Sequence, residues 1–251
     1  MNETILLVGH GSRNEAGNTQ IVDFKNQLVK RQPKWNIKLC YIELADYLIE
    51  QGLNDVAKDA KRVIVVPLIL NAAGHVNEEI PEFIAQAKQN NPDTDYIYAK
   101  HLGANDKLLQ ILVRQLKEAM ESLAMADPKT TGVVILARGS SNANANGEMA
   151  KMARWLFETS EHELIDLAFT GVTYPRLETI VQRQVLLGMK QIVILPYYLF
   201  DGVLIERIKE QYDRLIKQYP QVSFAKNSYF GFEDEIFQLV EENIAKAGEN
   251  G

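Results

Sequence analysis

The chain has 251 residues, of which 46% are hydrophobic and 24% charged, a composition typical of a globular protein with one large domain or two smaller ones. The formal net charge of −6 disfavours a general nucleic-acid-binding protein, and no apolar run approaches the roughly 20 residues of a membrane span. Cys40 is the only cysteine, which excludes internal disulfides and thiolate-cluster metal sites. With no signal-peptide pattern in the first residues, we expect a cytoplasmic protein.

Short apolar runs alternate with longer amphipathic stretches along the first half of the chain. The pattern predicts strands at 4–9, 36–43, 62–70 and 95–99, and helices at 15–31, 46–60, 77–90 and 105–124. Runs that are apolar throughout, such as RVIVVPLIL, are typical of parallel strands covered on both faces. The alternation therefore predicts a doubly wound, parallel-sheet α/β fold.

The second half repeats this order. Strands are predicted at 132–137, 164–171, 191–199 and 222–226, and helices at 144–159, 176–188, 204–218 and 232–247. Several residues lie 128 positions from an identical counterpart: Gly74 and Gly202, Glu78 and Glu206, Pro92 and Pro220, Gly103 and Gly231. We therefore predict a tandem duplication, with similar domains at 1–126 and 127–251 related by an approximate two-fold axis around a central cleft.

Three side chains with metal-ligating chemistry follow predicted strands of the first half. His10 lies between two glycines after the first strand, Glu43 ends the second, and His75 follows the third. Because ligands bind beyond the carboxyl ends of such strands, we expect these side chains to converge. Two imidazoles and a carboxylate suit a mid-first-row divalent metal and can also accept protons near neutral pH. The alternative interpretation is that they are separate loop or capping residues.

The second half lacks all three groups. It has Arg138 in place of His10, Val203 in place of His75, and Gly171 or Val172 in place of Glu43, which indicates one active copy and one supporting copy. Arg138 with Ser140 and Ser141 forms a candidate anion-binding corner, although a surface salt bridge is the alternative for the arginine. In the first copy, Ser12 is expected to cap the following helix.

The remaining histidines are expected to be structural. His101 lies in a predicted loop before a helix, and His162 lies in the charged segment SEHELID, where we expect a solvated surface position.

The motifs LLVGHGSR, IELA and AGHVNEEIP, with a degenerate second copy that contains DGVLIERI, resemble the class II sirohydrochlorin chelatases in their long, internally duplicated form. The resemblance implies two α/β domains of the chelatase fold and ATP-independent insertion of Co2+ or Fe2+ (with Ni2+ as a further option) into sirohydrochlorin, in cobalamin or siroheme biosynthesis. It implies that His10 and His75 present the metal with Glu43 assisting.

The resemblance also implies which molecules the protein binds. The substrate is a carboxylate-rich tetrapyrrole, for which Arg13, Arg138 and the serines at the two helix starts are suitable donors. No organic cofactor, nucleic acid or membrane partner is expected, and the protein is expected to be a monomer or a weak homo-oligomer.

The alternative functions are a histidine phosphatase, a serine hydrolase and a non-catalytic carrier. A histidine phosphatase requires an adjacent Arg-His pair after the first strand, whereas Gly9 precedes His10 here. A serine hydrolase is disfavoured because the G-x-S-x-G motif is absent from the sequence. A non-catalytic metal or tetrapyrrole carrier would use the same residues, and turnover distinguishes it from a chelatase.

Overall fold

The apolar runs of the first half pair into one parallel sheet in a computed structural model that describes residues 3–249. Its strand order is β2-β1-β3-β4, with β1 (Glu3–Gly9), β2 (Ile37–Tyr41), β3 (Arg62–Pro67) and β4 (Asp95–Tyr98). The helices between and after these strands are α1 (Glu15–Arg31), α2 (Ile49–Ala57), α3 (Ile80–Asn90) and α4 (Asp106–Ser122). A π-helical turn, His75–Glu79, leads directly into α3.

The second half folds in the same way, which confirms the predicted α/β architecture. Its sheet has the equivalent order β6-β5-β7-β8, with β5 (Thr131–Ala137), β6 (Ile165–Phe169), β7 (Gln191–Pro196) and β8 (Ser223–Lys226). Its helices are α5 (Ala143–Glu158), α6 (Leu177–Leu186), α7 (Val203–Gln218) and α8 (Asp234–Glu249).

Each sheet is covered on both faces, as its continuously apolar strands require. Leu6 and Val8 pack with residues of α2 and α3 in one buried cluster. Successive side chains of a strand point to opposite faces, so the buried Ile5 and Leu7 face the other side. The corresponding cluster of the second sheet joins β5 and β7 to α6 and α7.

The chain divides into two compact units that are not the two halves of the sequence. The first unit comprises residues up to Gly103 together with those from Asp234 onward, and the second is Ala104–Glu233. Helix α4 therefore packs on β7 and β8, whereas α8 packs on β3 and β4. This differs from the expected division at 126–127, because α4 and α8 each bury their apolar face on the sheet of the other repeat.

Several strands are shorter than their apolar runs predicted, β3 and β7 among them. The pairing of β3 stops at Pro67 and that of β7 at Pro196, although Leu68 and Leu199 beyond them stay buried. Burial continues past the point where pairing ends, so hydrophobicity alone overestimated the strand length. Among the described residues, no helix combines the length and apolarity needed to cross a bilayer.

Candidate metal centre

The tight turn after β1 positions His10. Gly11 has φ +91°, a conformation that side chains rarely adopt, and a Cβ built on it would collide with the carbonyl oxygen of Glu43. A glycine is therefore required for the two strand-end loops to approach. That approach is fixed by the Glu43 N–H, which donates to the His10 carbonyl oxygen at 3.1 Å.

The third side chain comes from the π-helical turn. His75 is its first residue, and the N–H of Ile80 donates to the His75 carbonyl oxygen, the five-residue spacing of a π-helix. π-Helical turns are rare and occur frequently at functional sites. The periodicity of the sequence predicted an ordinary helix from residue 77 and gave no indication of this turn.

His10, Glu43 and His75 converge as the sequence predicted. One ligand atom from each residue lies within 4.8 Å of the others. His10 Nε2 is 3.7 Å from Glu43 Oε1, and the two imidazole rings meet edge to face with centroids 4.7 Å apart. The two imidazoles are about 30% exposed, so the cluster is open to a ligand from solvent. Two nitrogen ligands and one oxygen ligand with open positions suit labile binding of Co2+ or Fe2+.

The hydrogen bonds of the two rings determine their tautomers. His75 Nδ1 lies 3.0 Å from Glu79 Oε2, and His10 Nδ1 lies 3.0 Å from the carbonyl oxygen of Gly11. Because carboxylate and carbonyl oxygens only accept, each Nδ1 carries the hydrogen, and each neutral ring keeps its lone pair at Nε2. A metal ligand needs that lone pair. Sequence reasoning missed Glu79, although its four-residue spacing from His75 was a usable signal.

The residue that caps α1 is not the one that the sequence predicted. Asn14, not Ser12, is the N-cap of α1, and its side chain accepts the N–H of Ala16. Ser12 instead accepts the N–H of Asn14 at 3.0 Å through Oγ, because it lies two residues too early to reach the first turn. Accepting that bond leaves the Ser12 hydroxyl hydrogen free to donate elsewhere. Arg13 is exposed in the same turn.

The second unit contains the same turn with other side chains. Asn142 caps α5, and Ser140 Oγ accepts its N–H at 3.0 Å, as Ser12 does for Asn14. Arg138 and Ser141 are both exposed. The Gly171 N–H donates to the Arg138 carbonyl oxygen, so the counterpart of Glu43 is Gly171 rather than Val172. This edge therefore has no carboxylate or imidazole at the three equivalent positions.

The prediction for His162 was wrong. Its side chain is buried and its Nε2 lies 3.5 Å from the sulfur of Met120, since the loop before β6 folds against α4. Burial lowers the pKa of this imidazole below 6.5, with the charge of Glu161 opposing the shift. The charged neighbours in sequence concealed an inward-pointing side chain.

Comparison with known proteins identifies the family to which this chain belongs. The model of the CbiX family matches the chain twice, at residues 4–119 and 132–247. A sirohydrochlorin cobaltochelatase of Priestia megaterium is 34% identical over 245 residues, covering 96% of this chain and 78% of the relative. A sirohydrochlorin ferrochelatase of the same organism is 27% identical over 243 residues, covering 96% and 89%.

The fold is shared with a solved structure. The structure of SirB from Bacillus subtilis with Fe3+ matches with a TM-score of 0.84 and 25% identity, covering 100% of this chain and 97% of that one. The chelatase fold and the family resemblance inferred from the sequence are thereby confirmed. The chain, which matches the family pattern twice and brings His10, Glu43 and His75 together in the first copy, belongs to the CbiX family.

Proposed function

We propose that this protein is a sirohydrochlorin chelatase that inserts a divalent metal, Co2+ or Fe2+, into its tetrapyrrole substrate. The observation that carries the proposal is the convergence of His10, Glu43 and His75 within 4.8 Å at the strand ends of a CbiX-family chain. The metal is a substrate, so the site must hold it and then release it. Neutral imidazoles and one carboxylate serve this purpose better than a closed thiolate cage.

In the proposed mechanism, two protons leave the macrocycle as one divalent cation enters it. The Nε2 lone pairs of His10 and His75 present the metal, and two pyrrole N–H groups lose their protons as the cation enters the macrocycle. Glu43 lies 3.7 Å from His10 Nε2 and can accept a proton or share the metal. The net change is one metal ion bound by the macrocycle and two protons released.

Recognition of the substrate is proposed for donors in both repeats. Ser12 and Arg13 lie in the turn after β1, and Arg138, Ser140 and Ser141 lie in the equivalent turn after β5. Guanidinium groups and hydroxyls donate hydrogen bonds to carboxylates, the groups that line the periphery of this substrate. A cytoplasmic location and a monomeric or weakly associated state, expected from the sequence, stay predictions for fractionation and sedimentation to test.

The test is a direct assay of insertion with purified protein, sirohydrochlorin and Co2+ in the absence of ATP, followed by the absorption spectrum. Wild-type protein should accelerate insertion. His10→Ala and His75→Ala should each lower the rate at least about a hundredfold, because each removes one metal ligand, while far-ultraviolet circular dichroism stays unchanged.

A matched control is His101→Ala, a loop histidine outside the cluster, which should retain the wild-type rate. A protein that binds metal and tetrapyrrole without accelerating insertion would be a carrier. A double His10→Ala/His75→Ala variant with the wild-type rate would contradict the assigned site.

A further inference from the structure

The carboxyl edge of the second sheet has the backbone of the metal centre with different side chains. Gly139 has φ +84° where Gly11 has +91°, and the Gly171 N–H donates to the Arg138 carbonyl oxygen at 3.0 Å. At the 128-residue spacing, Arg138 replaces His10 and Arg207 replaces Glu79. The positions of His10 and of Glu79, the hydrogen-bond partner of His75, are thus both arginines in the second unit.

A third arginine reaches the place that Glu43 occupies in the first unit. A Cβ built on Gly171 would lie 3.9 Å from Nη1 of Arg176, so this guanidinium lies beside the backbone from which Glu43 extends in the other repeat. The guanidinium carbon lies 4.5 Å from the centre of the Tyr174 ring. Nη1 is buried and has no hydrogen-bond partner among residues 3–249. A desolvated donor of this kind costs free energy until an acceptor binds it.

Arg138 and Arg207 share a neighbour at this edge. The Tyr198 hydroxyl hydrogen-bonds Thr170 Oγ1 at 2.6 Å, and Thr170 directly precedes Gly171. Burial raises the pKa of Tyr198 to about 12, while the Thr170 hydrogen bond and the positive charges of Arg138 and Arg207 oppose the shift. Both arginines therefore act on one phenol next to the position that Arg176 approaches.

Arg176 and Arg207 differ from the arginines that stabilise the fold. Arg31 binds Asp234 and Glu241, and Arg114 binds Glu233 at 2.8 Å. Within the described part of the chain, neither Arg176 nor Arg207 forms an ion pair, and Arg207 is exposed. Like charges gathered at one edge repel one another, and a bound anion removes that penalty.

We propose that Arg138, Arg176 and Arg207 form a carboxylate-binding site at the carboxyl ends of β5, β6 and β7 in the second unit. The inference rests on the proposed function for the source of the anion, a peripheral carboxylate of the tetrapyrrole. A guanidinium presents a planar fork that matches both oxygens of a carboxylate. In the second unit, a backbone frame equivalent to that of the metal centre thus carries arginines that bind substrate in place of side chains that bind metal. Arg176 and Arg207 extend this site beyond the turn after β5.

The first arm of the test measures the Kd of sirohydrochlorin in the absence of metal. Arg176→Gln should weaken binding about tenfold or more, the effect of losing a hydrogen bond to a charged group. Arg176→Lys should fall between Gln and wild type because it keeps the charge but loses the fork. Arg207→Gln, at an exposed position where folding is not at risk, should weaken binding about threefold or more.

Two matched controls lie in the same unit. Arg183→Gln on α6 and Arg214→Gln on α7 change exposed arginines away from the edge, and both should bind within about twofold of wild type. Co2+ affinity, measured separately by calorimetry, should be the same in all variants. Wild-type affinity for sirohydrochlorin in both Arg176→Gln and Arg207→Gln would overturn the proposal.

The second arm separates this site from the proposed function. Citrate, a tricarboxylate, should raise the thermal midpoint of the wild-type protein above that in NaCl of equal ionic strength, and the rise should be lost in Arg176→Gln and Arg207→Gln. If wild-type protein binds no sirohydrochlorin, the proposed function fails, and a citrate effect that depends on the arginines still supports the carboxylate site. An equal citrate effect in wild type and both variants contradicts it.

Discussion

The two imidazoles of the metal centre are held by different kinds of acceptor. His10 donates to a backbone carbonyl, which the fold fixes, whereas His75 donates to the Glu79 side chain, which mutation can remove. A carboxylate at the far nitrogen of a ligating histidine fixes the ring and increases the basicity of the nitrogen that faces the metal. We therefore expect Glu79 to position His75, with an effect that is separable from ligation itself.

Replacing Glu79 should weaken metal binding without removing a ligand. Glu79→Ala should lower Co2+ affinity about tenfold to a hundredfold, the usual effect of losing such an outer partner, and Glu79→Gln should restore part of it because its amide oxygen still accepts from Nδ1. Isothermal titration with Co2+ measures both. Glu78→Ala changes the neighbouring exposed carboxylate and is the control, with affinity expected within about twofold of wild type. Equal losses in the Glu78 and Glu79 variants would indicate a general charge effect instead.

Buried His162 makes stability depend on pH. Its pKa in the folded protein lies below 6.5 because burial disfavours the imidazolium, so the unfolded chain binds more protons in the interval between the two pKa values. Its contribution to stability is fully present above about pH 6.5 and is lost as the pH falls towards the folded-state pKa. The free energy of unfolding should thus fall more between pH 7.5 and 5.5 in wild type than in His162→Gln. Urea titrations at the two pH values give this difference, and identical pH dependence in both proteins would show that His162 is not responsible.

The elements themselves were largely predictable, and the partners of two helices were not. Periodicity located β1 and α1 within a residue or two, because both the alternation of strands and helices and their apolar faces are local properties. The apolar stripe of α4 identifies which side is buried but carries no information about which sheet covers it. The exchange of α4 and α8 between repeats depends on long-range packing, and no local pattern encodes it.

The candidate site, like the fold, has parts that the sequence predicted and parts that it did not. The convergence of His10, Glu43 and His75 followed from strand order, since residues at the carboxyl ends of neighbouring parallel strands meet at one edge. The π-helical turn and the place of Arg176 beside Gly171 depend on local backbone geometry and on a side chain reaching across two loops. Neither has a periodic signature.

Helix α8 is held to the first unit by aromatic packing and ion pairs. The Phe237 ring stacks on that of Phe24 with centroids 4.3 Å apart, and Arg31 lies over the same ring while binding Asp234 and Glu241. Phe237 is almost fully buried. This helix therefore completes the core of a unit from which it is separated by more than a hundred residues of sequence.

Truncating Phe237 should destabilise the first unit. Phe237→Ala should lower the free energy of unfolding by about 3–5 kcal/mol, the cost of removing a buried aromatic ring. Trp35 lies in this unit and Trp155 in the other, so a Trp155→Phe background lets fluorescence in urea report the first unit alone. Lys246→Ala, at an exposed position of the same helix, should change the value by less than about 0.5 kcal/mol. A loss of under 1 kcal/mol in Phe237→Ala would show that α8 contributes little to this core.

At the scale of the whole molecule, duplication accounts for one backbone frame that carries different side chains in the two repeats. Both repeats keep the glycine turn and the strand-end hydrogen bond that bring two loops together, at Gly11 and Glu43 in one and Gly139 and Gly171 in the other. The frame is therefore independent of the side chains that it carries. Under the proposed function one insertion event needs one metal, so a second set of ligands would add nothing, and the second frame can carry the arginines that we propose bind the substrate.

The exchange of helices predicts which parts of the chain fold alone. A fragment of residues 104–233 contains a complete unit, with α4 on its sheet, and should unfold cooperatively in urea when expressed by itself. A fragment of residues 1–126, the first repeat by sequence, lacks α8, so Phe24 loses the Phe237 ring that stacks on it. It also carries an α4 whose buried side has no sheet to cover. It should show a broad, non-cooperative transition or aggregate. Unfolding of each fragment is measured by circular dichroism and by tryptophan fluorescence, from Trp35 in fragment 1–126 and from Trp155 in fragment 104–233. A cooperative transition of fragment 1–126 at the midpoint of the intact first unit would mean that each repeat is self-sufficient and that the exchanged helices are dispensable.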